Sequence, residues 1–296
     1  MTGFICLDKS EGVTSFSAVN AVRRITGERK AGHTGTLDPM ATGVLPVALG
    51  KATRFIGLLP DTHKSYDACF ITGIRTDTLD ITGTILQRSG TTVTLSQITD
   101  LLPRFTGDIM QTPPMYSAKK QDGVRLYELA RRGIETEREP VPVTVYELIA
   151  GEAPQGAFTL SVSCSAGTYI RSIIDDIGRL LGCGAAMTAL RRTRSNGFTL
   201  DNAFTEDELK ALSNEGELCK AVIPADAAFF AYPRVTVTQP QAVRFSNGGE
   251  LSLDRLPGLT DTGLHRVYSP EEVFLGLGEA SAQSGLLTVK RVFTEG

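Results

Sequence analysis

The sequence is poor in the residues that build metal sites and disulfide frameworks. Its 296 residues include five cysteines and three histidines. Cys6, Cys69, Cys164, Cys183 and Cys219 are scattered, odd in number and without a Cys-x-x-Cys spacing. That argues against a zinc ribbon, a redox motif or a stapled secreted domain, and for reduced, mostly buried thiols. His33, His63 and His265 form no metal-ligand pattern, so no metal is expected. No apolar run approaches the ~18 residues of a membrane span. The opening Met-Thr-Gly-Phe-Ile-Cys-Leu-Asp-Lys is short and carries Asp8, unlike a secretory signal, so a cytoplasmic protein is expected. Neither Gly-x-x-x-x-Gly-Lys-Ser/Thr nor Gly-x-Gly-x-x-Gly occurs, which weakens any nucleotide-binding reading. There is no internal repeat and no low-complexity tract.

What is present suits one large domain and one small one, with ample core. Hydrophobic residues make up 41% of the chain and charged residues 21%, as in ordinary globular proteins. The net charge of −3 hides an asymmetry. Residues 1–200 hold 22 basic and 19 acidic side chains, and residues 201–296 hold 8 and 14. A locally basic face can steer a polyanion despite an acidic total.

Gly3–Asp8 reads as a strand, and 15–26 as a helix capped by Thr14 or Ser15 and closed by Gly27. Ala18, Ala21, Val22 and Ile25 form its apolar stripe. A Val-rich strand follows around Val44–Leu49. Lys64–Ile71 alternates, with Lys64, Tyr66, Ala68 and Phe70 on one face. Leu95–Phe105 reads as a helix after Thr94, and Pro140–Ile149 and Phe158–Ser165 read as strands. The clearest helix is 169–181, with Thr168 as its expected N-cap. Ile170, Ile173, Ile174, Ile177 and Leu181 make its stripe, and Arg171, Asp175, Asp176 and Arg179 lie off it.

Residues 32–47 carry the most information: Gly-His-Thr-Gly-Thr-Leu-Asp-Pro-Met-Ala-Thr-Gly-Val-Leu-Pro-Val. Asp38 follows a Gly-rich bend and precedes Pro39, which biases it toward extended backbone. On chemistry alone an Asp before Pro is a turn-former or cap. The whole run, however, resembles the signature of TruB-type pseudouridine synthases, which modify the TΨC loop of tRNA at position 55. The resemblance spans nearly the full chain. It implies an α+β fold: a large mixed, mainly antiparallel sheet flanked by helices, with a small C-terminal β-barrel. It also implies an isomerase that flips the target uridine out of its stack, needs no cofactor and acts as a monomer.

By the same resemblance Asp38 is the essential carboxylate, and Arg171, in Ser-Ala-Gly-Thr-Tyr-Ile-Arg (165–171), is its partner. Arg171 and Asp175, at i and i+4, suit a plain surface pair equally well on spacing. Tyr66 matches the catalytic tyrosine that stacks on the uracil and takes part in proton removal at C5, though a strand Tyr is commonly core. Tyr169 and Leu190 match residues packing near the flipped base, His33 one that fills the gap left by it. Arg191, Arg192, Lys64 and Lys9 are candidate RNA contacts. Lys9 stands in a segment that in the family reads Lys-Pro, where Ser10 here removes the restraint of proline. Asp80, in Thr-Asp-Thr-Leu-Asp (76–80), receives no role.

Residues 113–139 are basic and aromatic, and only Val124–Arg132 reads as helical. Arg and Lys bind phosphates and aromatics stack on bases, so the stretch suits an RNA-gripping insertion; the resemblance makes it one that closes over the T-arm. A boundary is expected near residue 230. Beyond Pro233, short β-like stretches and turns at 246–249, 256–258 and 274–279 suggest a small β domain resembling a PUA domain. The expected division is therefore 1–230 and 231–296. No long extension is present, which favours a stand-alone tRNA enzyme over one needing a guide RNA or a protein partner. The alternative is a non-catalytic tRNA-binding or tRNA-folding protein.

Overall fold

The computed structural model describes residues 1–256, 259 and 261–293. The chain opens with β1 (Gly3–Lys9), α1 (Ser15–Thr26), β2 (Ala31–His33) and β3 (Thr42–Leu49). β4 (Lys64–Thr72) leads to a hairpin of β5 (Ile74–Thr76) and β6 (Ile85–Arg88). Helix α2 (Leu95–Thr99) precedes β7 (Gly107–Gln111). The basic stretch holds β8 (Lys120–Gln121), β9 (Val124–Arg125) and α3 (Leu126–Arg131). Then come β10 (Val141–Glu152), β11 (Phe158–Cys164), α4 (Ile170–Leu180), β12 (Ala185–Ser195), β13 (Phe198–Thr199), β14 (Ala203–Phe204) and α5 (Glu206–Asn214).

Ten of these strands form one sheet, ordered β14-β1-β3-β12-β4-β11-β10-β7, with β2 on β3 and β13 on β12. Only β1–β14 and β12–β3 pair in parallel. The sheet is mixed and mainly antiparallel, as expected. Alternation in β4 turns Tyr66, Ala68 and Phe70 into the main core with α1 and α4. α1 matches its sequence: Thr14 accepts from the Ser17 N–H and Gly27 ends it at φ 66°.

Three local expectations need correction. The helix expected over 95–105 breaks after α2 into a 3-10 turn at Leu102–Phe105, because Pro103 supplies no N–H and restricts the residue before it. The helix expected from Val124 starts at Leu126, since Val124 and Arg125 pair with Gln121 and Lys120. Thr168 does not cap α4: its hydroxyl donates to Ser165 O at 3.0 Å, and Tyr169 holds the N-cap position without a side-chain cap of its own.

The C-terminal part comprises β15 (Arg234–Thr236), α6 (Gln239–Ser246), β16 (Leu251–Ser252), β17 (Gly263–Tyr268), β18 (Phe274–Ser281) and β19 (Leu286–Val292). Its strands run β15-β17-β18-β19-β16 in a curled half-barrel, a PUA-like arrangement. The all-β reading missed α6, which Thr238 opens by donating its N–H to Gln241 Oε1 at 2.8 Å. The expected turn at 256–258 lies, beyond Leu256, outside the described residues. An aromatic core joins this part to the large sheet. Phe55 packs on Phe229, Phe274 and Phe293 at ring distances of 5.7, 6.4 and 5.6 Å. Among the described residues no helix is long and apolar enough to cross a membrane.

Candidate active site

The Asp38 loop is held from both sides. Ser15, at the start of α1, donates its hydroxyl to Leu37 O (3.0 Å) and accepts from Leu37 N (2.8 Å). Lys9 Nζ donates to Ser10 O and Val13 O, both at 2.8 Å, and to Pro39 O at 3.2 Å. Arg192, from β12, donates to Val44 O at 2.7 Å, Gly35 O at 3.1 Å and Thr36 O at 3.4 Å. Gly43 permits this approach: a Cβ there would lie 2.2 Å from Arg192 O, at φ +97°.

Two expected RNA contacts are thereby corrected. Lys9 is 1% exposed and Arg192 0%. The Lys9 ammonium is spent on carbonyls of its own turn and on Pro39 O, and the Arg192 guanidinium on Val44 O and the Asp38 loop, so both heads are turned inward rather than toward a bound strand. Burial pushes the Lys9 ammonium down to about 8, with Asp38 pulling the other way. Arg191 does keep an exposed side chain, paired with Asp8 at 2.7 Å.

Arg171 projects from the first turn of α4 and is almost fully buried. One Nη lies 2.9 Å from Asp38 Oδ2 and also donates to Tyr116 O at 2.9 Å. The other donates to Thr78 O at 2.8 Å and lies 3.7 Å from Asp80 Oδ2. Asp80 is itself buried, accepting from Thr78 Oγ1 (2.8 Å), Thr82 N (3.0 Å) and Thr82 Oγ1 (2.5 Å). The i,i+4 pair with Asp175 does not form: Asp175 binds Arg75 at 2.9 Å instead. The off-stripe face of α4 is thus an interior one at Arg171, Ser172 and Asp175. Buried charge needs a partner, and here each has one.

Above this pair lies a half-open cleft of about 160 Å³. Asp38, Lys64, Tyr66, Tyr169, Arg171 and Leu190 all line it, so six of the ten expected site residues meet there. The Asp38 side chain remains 35% exposed. Burial raises the Tyr66 hydroxyl above its ordinary range, and the nearby Arg192 charge opposes that. Burial and the nearby Arg192 charge push the Lys64 ammonium down to about 8. His33 sits on β2 and does not line the cleft, and its Nδ1 is buried without a partner. Desolvation lowers its pKa, with Arg192 and Lys64 acting in the same direction.

Sequence reasoning passed over Gln111 and Ser117, named Asp80 without a role, and saw Ser15 only as a helix cap. Ser117 stands in the basic insertion, in the Met-Tyr-Ser-Ala-Lys-Lys run, and forms part of the cleft wall with a buried, unpartnered hydroxyl. That stretch therefore folds onto the cleft while Lys119, Lys120, Arg125, Arg131 and Arg132 stay exposed. The ensemble offers an anion fixed by a guanidinium, aromatic and aliphatic walls for a flat apolar ring, and basic side chains nearby. Among the described residues no group of three or more His, Cys, Asp or Glu is placed to hold a metal ion.

Residues 23–170 match the TruB family pseudouridylate synthase (N terminal domain), and 171–229 the tRNA pseudouridylate synthase B C-terminal domain. Residues 233–293 match Pseudouridine synthase II TruB, C-terminal. The chain is 43% identical over 290 residues to the tRNA pseudouridine synthase B of Dechloromonas aromatica, covering 98% of this chain and 95% of that protein. It is 41% identical over 297 residues to that of Stutzerimonas stutzeri, covering 99% and 95%. A chain of a solved Cbf5-Nop10-Gar1 complex superposes with a TM-score of 0.75 at 30% identity, covering 99% of this chain and 85% of that one. A chain of an H/ACA RNP bound to a substrate RNA containing 2'-deoxyuridine gives 0.73 at 28%, covering 99% and 86%. Fold and sequence agree along almost the whole length, and the chain belongs to the TruB family of pseudouridylate synthases.

Proposed function

We propose that this protein is a tRNA pseudouridine synthase that isomerises uridine at position 55 of the TΨC loop, with Asp38 as its essential residue. The observation that carries this reading is the Asp38–Arg171 pair at 2.9 Å, facing a cleft walled by Tyr66, Tyr169 and Leu190. The N1–C1′ bond of the uridine breaks, a C5–C1′ bond forms, the C5 proton leaves and N1 gains one. Arg171 holds the carboxylate in place and aims it. Tyr66 stacks on the flipped uracil, Leu190 and Tyr169 pack around it, and extrusion into this cleft gives access to C1′ and C5. His33 fills the space that the base vacates, and Arg191 meets a phosphate at the rim. The exposed cations of 113–139 grip the T-arm.

The non-catalytic reading is not favoured. A protein that merely binds tRNA gains nothing from burying Arg171 against Asp38 and Asp80, since such burial is costly on its own. The curated relatives bear the name tRNA pseudouridine synthase B, which supports tRNA as the substrate. Residues 1–230 act as the catalytic domain and 231–296 as an RNA-binding domain. The enzyme works in the cytoplasm as a single chain without guide RNA or obligatory partner, a reading supported by its own basic insertion beside the cleft.

The test uses T-arm RNA tritiated at uracil C5. Wild-type protein releases label to water, and Asp38→Asn loses at least about a thousandfold, the scale on which removal of an essential group reads. RNA bound by wild type without any release would make this a binding protein.

A further inference from the structure

We infer that Gln111 is a positioning residue for this reaction, an inference that rests on the function proposed above. Gln111 ends β7 and is 3% exposed. Its Oε1 accepts the Tyr169 N–H at 2.7 Å, and its Nε2 donates to Tyr169 O at 3.0 Å. Both ends of one side-chain amide are thus spent on both backbone groups of one residue, much as a strand neighbour would spend its own peptide groups. Tyr169 is the N-cap of α4, where no side chain of the helix or of its approach supplies a cap. Gln111 instead braces the N-cap residue itself from another strand. A second tie lies alongside, with Ser172 Oγ donating to Thr112 O at 3.4 Å.

The clamp has consequences on both sides. Tyr169 is held at φ −102° and ψ 107°, which sets the exit of its ring into the cleft and the start of the turn that presents Arg171. Gln111 also begins the segment that carries Tyr116 and Ser117 to the cleft, and Tyr116 O accepts from Arg171. One side chain therefore fixes the root of the insertion to the helix start that aims the guanidinium at Asp38. Small misplacements of such groups cost rate rather than affinity.

Gln111→Met keeps the length of the side chain and removes both bonds. With T-arm RNA tritiated at C5, kcat is expected to fall about ten- to a hundredfold, with KM and RNA dissociation constant changing less than about threefold. Amide hydrogen exchange at 168–173 should accelerate in the RNA-free protein. On a Tyr169→Ala background, which keeps both backbone partners and removes only the ring, the same substitution should still lower kcat, because the clamp also sets the turn that presents Arg171. Gln111→Glu, which keeps the acceptor for Tyr169 N–H, should fall between, and it serves as the test if the methionine variant does not fold. Unchanged kcat or unchanged exchange would each overturn the inference. Absence of release by the wild type would instead overturn the proposed function, leaving the exchange measurement to judge the clamp.

Discussion

Helices α1 and α4 both begin beside the cleft, yet they obey different rules. α1 is self-sufficient: its own Thr14 caps it, Gly27 closes it, and Ser17, Arg23 and Arg24 face outward. α4 has an apolar stripe as clean as any, but part of its other face, at Arg171, Ser172 and Asp175, is buried as well, and its N-cap residue is held by a side chain of β7. A scaffold helix can be written in local code. A helix that aims a charge into a cleft departs from that code, and the rest of the fold must compensate for each departure.

The sharpest way to break the contrast is to remove the charge that α4 carries inward. Arg171→Met leaves Asp80 buried without its cation and Asp38 without its partner. We expect turnover on tritiated T-arm RNA to fall at least about a hundredfold and stability to drop by about 3–5 kcal/mol in urea unfolding. A loss below 1 kcal/mol would mean that the two carboxylates manage without it.

Next is the cleft cation. Because the Lys64 ammonium titrates near 8 in the fold and near its ordinary 10.5 when unfolded, the unfolded chain binds more protons between those values. The penalty for burying its charge is fully present below pH 8 and relieved as pH rises toward 10.5. Lys64→Met should therefore flatten the rise of stability with pH across that window. Parallel curves for variant and wild type would show that the ammonium is not strained.

The smallest effects compare the caps themselves. Thr14→Ala should cost about 1 kcal/mol, since it strips the Ser17 N–H of its acceptor. Thr168→Val, at the position where the sequence suggests the cap of α4, should cost less than about 0.5 kcal/mol in cap energy, because its hydroxyl makes no bond to the helix. Equal costs from thermal unfolding would erase the distinction between the two helices.

Much of the molecule was legible in advance. The strand face of Lys64, Tyr66, Ala68 and Phe70, the stripe of α4 and the limits of α1 all follow from periods of 2 and 3.6 and from local caps. The signature at 32–47 identified the family, and with it the mixed sheet. Partner choice was less legible. Arg171 has an acidic neighbour one turn away, and spacing offers no reason to prefer Asp38 or Asp80 over Asp175. Arg192 and Lys9 look like RNA contacts, because nothing in a run such as Leu-Arg-Arg says which arginine the sheet will bury. In β12 alternation sends Arg191 toward solvent and Arg192 inward, beneath the Asp38 loop.

The sequence by itself determined what depends on neighbours in the chain: the helix stripes, the caps of α1, the strand alternation and the motif that marks the family. Only the tertiary structure decided which charges are buried together, that Gln111 clamps Tyr169 at the start of α4, and that the basic insertion lies against the cleft. The physical reason is that burial energies and ion-pair strengths are set by distance and desolvation in space, and the chain order of the partners leaves no trace in either.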